Sequence, residues 1–119
     1  LWANSTAITT STHVMFADGG SSALRQQIQI GQRANTGYLF CGTYGDDLDT
    51  TINVQDNLWH NIVCSFDDST KNLSLYYDGA QVGSKILGGS VAVNGETVIG
   101  ARPDGAGGYT DYWQGNIDE

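Results

Sequence analysis

The chain has 119 residues, enough for one hydrophobic core and few for two. Its hydrophobic fraction of 39% and charged fraction of 15% argue against disorder, and no apolar run reaches the roughly 20 residues that span a bilayer, so no membrane insertion is expected. Five Lys and Arg stand against thirteen Asp and Glu, a formal net charge of -8, and no basic cluster is present to release counterions from a nucleic acid or an anionic membrane.

Taken in chain order, the apolar residues alternate with a period of two, and Gly, Asn, Asp, Ser and Thr interrupt them. Strands are predicted over residues 1–4, 13–17, 24–30, 38–43, 50–54, 60–66, 73–77, 80–84, 97–101 and 113–117. Loops are expected over 42–49, 83–91 and 102–112, and no segment has the periodicity of a helix of useful length. The middle is the clearest part. Ile62, Cys64 and Phe66 fall on one face of a strand, and Leu73, Leu75 and Tyr77 on one face of the next. Asp78-Gly79 follows at once and predicts a tight hairpin, because both central residues of that turn need positive φ. Asn94-Gly95 is a second candidate turn of that kind. Many short strands between turn signals imply an all-β sandwich or barrel.

Three motifs sharpen that expectation. Residues 59–67 read Trp-His-Asn-Ile-Val-Cys-Ser-Phe-Asp, and residues 73–83 read Leu-Ser-Leu-Tyr-Tyr-Asp-Gly-Ala-Gln-Val-Gly. Val98-Ile99-Gly100-Ala101, a glycine-rich loop and Trp113-Gln114-Gly115-Asn116-Ile117-Asp118-Glu119 complete the series. Together they resemble the signature hairpin and the closing strand of laminin-G-like and pentraxin-like domains, within the concanavalin A-like lectin/glucanase superfamily. Leu1-Trp2-Ala3-Asn4 resembles an early strand of the same family. The likeness is specific over 59–119 and weak over 5–58. It implies a two-sheet antiparallel jelly-roll sandwich over 1–119, an excerpt of a longer chain lacking its terminal strands. Sheet edges left open at the two ends would then be covered by flanking chain or by a neighbouring subunit.

The chemistry-bearing residues are sparse. Related jelly-roll hydrolases resemble one another in a Glu-x-Asp-x-x-Glu strand that sets two carboxylates about 5 Å apart. Here the glutamates are Glu96 and Glu119, and neither belongs to such a motif. No nucleophile elbow surrounds any serine, and His13 and His60 read as structural. The chain is therefore read as a non-enzyme. The resemblance implies calcium as a candidate cofactor, with Asp46, Asp47, Asp49 and Asp104 as the hard oxygen donors. Arg102 and Pro103 stand where a pentraxin-type site would place two of its oxygens. A saccharide site is expected from loop aromatics and acids, Tyr44, Tyr109, Asp111 and Tyr112, if their two loops meet at one rim. Trp113 is assigned to the core.

Cys41 and Cys64 have no metal-ligand spacing; they are candidates for a disulfide or for two buried thiols. Asn4-Ser5-Thr6 and Asn72-Leu73-Ser74 are candidate N-glycosylation sites, at Asn4 and Asn72. The leading expectation is a recognition module for a glycan or another cell-surface ligand, within an extracellular, cell-surface or virion-surface protein. The alternatives are a self-assembling module of a fibre, filament or capsid decoration and a fragment of a polysaccharide hydrolase or lyase.

Overall fold

The computed structural model describes residues 1–6, 10–20 and 23–119. The chain forms an all-β sandwich of two five-stranded antiparallel sheets and a small two-stranded ribbon. Twelve strands follow in order among the described residues. They are β1 (Trp2–Ser5), β2 (His13–Asp18), β3 (Ile28–Gln32), β4 (Tyr38–Thr43), β5 (Asp46–Asn53) and β6 (His60–Asp67). After these come β7 (Asn72–Tyr77), β8 (Ala80–Ile86), β9 (Thr97–Ile99), β10 (Arg102–Pro103), β11 (Tyr109–Thr110) and β12 (Gly115–Asp118). The first sheet runs β12-β1-β6-β7-β8 and the second β5-β4-β3-β2-β9, while β10 and β11 pair only with each other. Among the described residues there is no helix long and apolar enough to cross a membrane.

The period-two pattern places the core where it was expected. Leu39, Cys41, Ile30, Met15 and Leu48 of the second sheet meet Ala3, Ile62, Leu73 and Leu75 of the first, and Cys64, Phe66, Tyr77 and Trp113 pack against them. The predicted hairpin is present: Asp78 has φ 49° and Gly79 φ 81°, and β7 pairs with β8 from Tyr77↔Ala80 back to Asn72↔Ile86.

Four expectations change. The strand placed at 24–30 begins only at Ile28, because residues 23–26 form a turn closed by the Gln26 amide on the Ala23 carbonyl (3.1 Å). The acidic segment 46–49 is not a loop: β5 starts at Asp46, immediately after a tight Tyr44-Gly45 turn in which Gly45 takes φ 80°. Asn94-Gly95 does not close a hairpin; it is a bend held to the start of the chain, with the Gly20 amide donating to the Asn94 carbonyl (2.7 Å). The expectation of open edges at the two ends changes for β1 alone, since β12 is the outermost strand of its sheet and is paired on one side. β1 lies inside its sheet, between β12 and β6, and β12 pairs with β1 from Trp2↔Asp118 to Ser5↔Gly115.

Candidate functional site on the outer face of the second sheet

In β3, β4 and β5, Ile30, Leu39, Cys41 and Leu48 point into the core, so Gln29, Gly31, Phe40, Gly42, Asp47 and Asp49 project from the other face. Two glycines keep that face open and close-packed. A Cβ on Gly31 would lie 2.3 Å from the His13 carbonyl oxygen and 2.9 Å from the Phe40 ring. A Cβ on Gly42 would lie 2.5 Å from Cα of Asp47 on the paired strand. Phe40 is buried on this outward face, in a small cluster with Val14 and Ala17, and the Arg33 guanidinium covers it at 3.8 Å from the ring centroid.

The wall opposite comes from a segment distant in sequence. The Val14 amide donates to the Asp111 carbonyl (2.8 Å), Val14 and Tyr112 form a parallel bridge, and His13 Nδ1 bonds the Tyr112 carbonyl. These contacts dock the end of the glycine-rich loop onto β2. Asp111 holds φ 55° there, and its carboxylate accepts from Arg102 Nε at 2.5 Å. Arg102 in turn lies over the Tyr44 ring, 5.8 Å from its centroid. The result is an open polar groove of about 380 Å³, lined by Tyr44, Gln29, Arg33, Asp47, Arg102 and Asp111 among others.

Its charges are arranged in pairs. Arg33 Nη2 donates to Asp47 (2.7 Å) and Arg33 Nε to Asp49 (2.5 Å), and Gln29 Nε2 also reaches Asp47 (3.4 Å). Burial works against the Arg33 cation, but its bonds to Asp49 and Asp47 more than offset this, so its pKa is raised. Each pair offers N–H donors and carboxylate acceptors side by side, as a vicinal diol requires.

The structure thus brings Tyr44 and Asp111 to one rim, as the meeting of two loops required. Tyr109 and Tyr112 are not in the groove. Tyr112 is 60% exposed and contributes its backbone to the docking contacts, while the Tyr109 hydroxyl donates to Glu96 (3.0 Å). The bond to Glu96 and that carboxylate's charge raise the pKa of the Tyr109 phenol. Arg33, Arg102, Gln29 and Phe40 were not among the predicted residues. A signal existed for two of them: Gln29 and Phe40 alternate with the core residues Ile30, Leu39 and Cys41.

The four candidate calcium ligands do not suit a common ion. Asp46 is clamped at the sandwich rim by Arg25 Nε (3.2 Å), Lys85 Nζ (2.9 Å) and the Gly88 amide (2.8 Å). The Gly88 amide first, then Lys85 and Arg25, hold its pKa down to about 2. Asp47 and Asp49 are engaged by Arg33, and Asp104 accepts from the amides of Ala106 (2.7 Å) and Gly108 (3.0 Å) in its own loop. Among the described residues no three His, Cys, Asp or Glu side chains converge as a metal cluster. A cation or a backbone amide already engages at least one carboxylate oxygen of each of the four.

The other predicted positions are placed as follows. Asn4 is 6% exposed within β1, so a glycan there would require the strand to open. Asn72 is half-buried at the start of β7, with Nδ2 on Ser74 Oγ (3.2 Å). Cys41 and Cys64 are both free thiols. His60 is held on both sides: Nδ1 bonds Asp78 (2.7 Å), Nε2 bonds Asp56 (3.0 Å), and the ring stacks on Tyr77 at 4.6 Å.

Solved structures share this architecture at low identity. The CBM40 module of a Ruminococcus gnavus IT-sialidase aligns at a TM-score of 0.73, with 13% identity over 99% of this chain and 70% of that one. The same module has been solved bound to α2,6-sialyllactose, and there the alignment has a TM-score of 0.67, with 11% identity over 96% of this chain and 68% of that one. A heptameric SAP-like pentraxin from Limulus polyphemus aligns at 0.61, with 16% identity over 96% of this chain and 58% of that one. Domains LG4-5 of the mouse laminin alpha1 chain align at 0.64, with 14% identity over 87% of this chain and 28% of that one. The chain therefore spans less than two thirds of the pentraxin's length. No curated protein sequence matches it. The Laminin_G_3 family model covers residues 1–119, and with the sandwich and its hairpin on the same residues, the chain belongs to that family of the concanavalin A-like lectin/glucanases superfamily.

Proposed function

We propose that this chain is a non-catalytic carbohydrate-recognition module of an extracellular or surface-displayed protein, and that the groove beneath Tyr44 and Arg102 is its sugar site. The observation that carries the reading is the joining of an aromatic rim to two Arg–carboxylate pairs in one open polar groove, Arg33–Asp47 and Arg102–Asp111. Pyranose rings present apolar C–H faces to aromatic side chains and hydroxyl pairs to planar polar ones. Tyr44 supplies the first kind of surface and the Arg–Asp pairs the second. The sialyllactose-bound relative supports a glycan in general. The charge pattern here favours a neutral sugar, because both groove arginines are already paired with carboxylates and the chain carries a net charge of -8.

The test is an NMR titration of the protein with lactose, maltotriose, mannotriose and α2,6-sialyllactose, repeated with Tyr44→Ala and Arg102→Ala. A neutral oligosaccharide is expected to shift the amides of Gln29, Gly42, Tyr44 and Asp111. Each variant should lose affinity by about tenfold or more, the equivalent of one lost stacking or charged hydrogen-bond contact. Binding that is unchanged in both variants would place the sugar elsewhere, and no shift with any sugar would remove the reading.

A further inference from the structure

The two cysteines come from opposite sheets and meet inside the sandwich. Cys41 sits on β4 between Ile30 of β3 and Leu48 of β5, and Cys64 sits on β6 opposite Leu75 of β7. Cys41 is fully buried in the main apolar cluster, and Cys64 packs against that same cluster from the other sheet. The two thiols are close enough for each to feel the other, and no disulfide joins them. Their access to solvent is unequal. Cys64 is half-buried and lines an apolar cavity of about 490 Å³, with Met15, Ile30, Ile62, Ile99 and Ile117, that opens between the sheets. Cys41 does not line it.

We propose that Cys41 and Cys64 are an oxidisable pair that closes into a disulfide across the sandwich, with Cys64 as the thiol that meets the oxidant and Cys41 as the one that resolves it. A disulfide between facing sheets is compatible with sandwich geometry. With a low-molecular-weight disulfide as oxidant, the Cys64 thiolate attacks one sulfur, that S–S bond breaks, and one thiolate leaves. Cys41 then loses its proton and attacks Cys64 Sγ; the protein S–S bond forms and the second thiolate leaves. Two protein thiols are oxidised, one small disulfide is reduced to two thiols, and those thiols take up the two protons. The second step is the slow one. The contact with Cys64, together with burial, raises the Cys41 thiol, so little of it is thiolate at neutral pH.

The bond would tie β4, whose outward residues Phe40 and Gly42 belong to the groove floor, to the hairpin sheet. It acts on stability whether or not the groove binds sugar, so its test stands apart from that reading. The full chain is equilibrated with glutathione disulfide and followed by intact mass, thiol titration and melting without reductant. Both thiols should disappear together, with the mass falling by two hydrogens and Tm rising by about 10 °C, reversed by dithiothreitol. Cys41→Ser should stop at a glutathione adduct on Cys64, and Cys64→Ser should leave Cys41 unmodified. If the Cys41→Ser chain does not fold, the mass and Tm of the unsubstituted chain decide. Two free thiols after equilibration, or bonds only between separate chains, would overturn the proposal.

Discussion

Two hairpins of this sandwich are built on similar tips and serve different ends. The β7–β8 hairpin turns at Asp78-Gly79, and its aspartate folds back to cap the sheet. Asp78 accepts from the Asn61 amide (2.8 Å) and from His60 (2.7 Å). The β4–β5 hairpin turns at Tyr44-Gly45, and the aspartates that follow reach outward to partners on other elements. Asp46 takes Arg25, Lys85 and Gly88, and Asp47 takes Arg33 and Gln29. A turn whose acid is satisfied within its own sheet is scaffold. A turn whose acids recruit cations from elsewhere gathers a charged surface around an aromatic, and that is where the groove lies.

Glycine substitutions separate the two regions most sharply. Gly31→Ala puts a methyl 2.3 Å from a backbone carbonyl and 2.9 Å from the buried Phe40 ring, neither of which can move cheaply. A loss of about 3 kcal/mol is expected, together with distortion of the groove. Gly79→Ala meets nothing within 4 Å and suffers only from its φ of 81°, a cost of about 1 kcal/mol. Chemical denaturation of both variants checks this. Equal losses would show that the groove floor is not tightly packed.

How much of this was legible follows the same division. The β6–β7–β8 region satisfies itself locally, so alternation at Ile62, Cys64, Phe66, Leu73, Leu75 and Tyr77, with Asp78-Gly79 between the last two strands, was enough to place it. The region around Tyr44 depends on partners far along the chain. Three aspartates at the start of a strand read as a loop, because a strand tolerates them only when Arg25, Arg33 and Lys85 stand beside it. The turn at 23–26 hid for the same reason: Arg25 takes φ 59° there and pairs with Asp46, a contact that local propensity does not encode. The groove wall is non-local too, since nothing around Val14 announces that Asp111 will dock on it. Tyr44 and Asp111 were singled out because aromatic and acidic loop residues stand out singly. Arg102, between them in space, stood out only as an obstacle to calcium.

The next largest effect concerns Asp46. Its carboxyl is held to about 2 by Gly88, Lys85 and Arg25, below the usual carboxylate range, and its side chain is only 14% exposed. A depressed carboxylate stabilises the fold fully above its unfolded pKa of about 4 and loses that contribution as pH falls through the folded value. The window therefore lies between about pH 4 and pH 2, and the contribution is about 2 kcal/mol. Asp46→Asn should remove that amount at neutral pH and flatten the acid limb of the stability curve. An acid limb of unchanged slope in the variant would show that the clamp joining β5, the Arg25 turn and β8 does not hold the rim.

The smallest effect tests the scaffold hairpin and has the opposite sign. Burial lowers the pKa of His60, but bonds to Asp78 and Asp56 outweigh it, so the group titrates above its ordinary value of 6.5. Both carboxylates shift downward in return: burial opposes this, and it is outweighed by the Leu58 amide and His60 at Asp56, and by His60 and the Asn61 amide at Asp78. A raised histidine contributes fully below its unfolded pKa and loses its contribution as pH rises through the folded one. Stability should therefore decline from about pH 6.5 upward. Asp56 and Asp78 are 43% and 45% exposed, so water screens the pairing, and the change should be at most about 1 kcal/mol. His60→Gln keeps a hydrogen-bonding side chain at the hairpin base and should abolish the decline, while the part of the acid limb that Asp46 contributes stays in place. A decline that persists in His60→Gln would assign the neutral-pH sensitivity to another group and leave Asp78 as a simple turn aspartate.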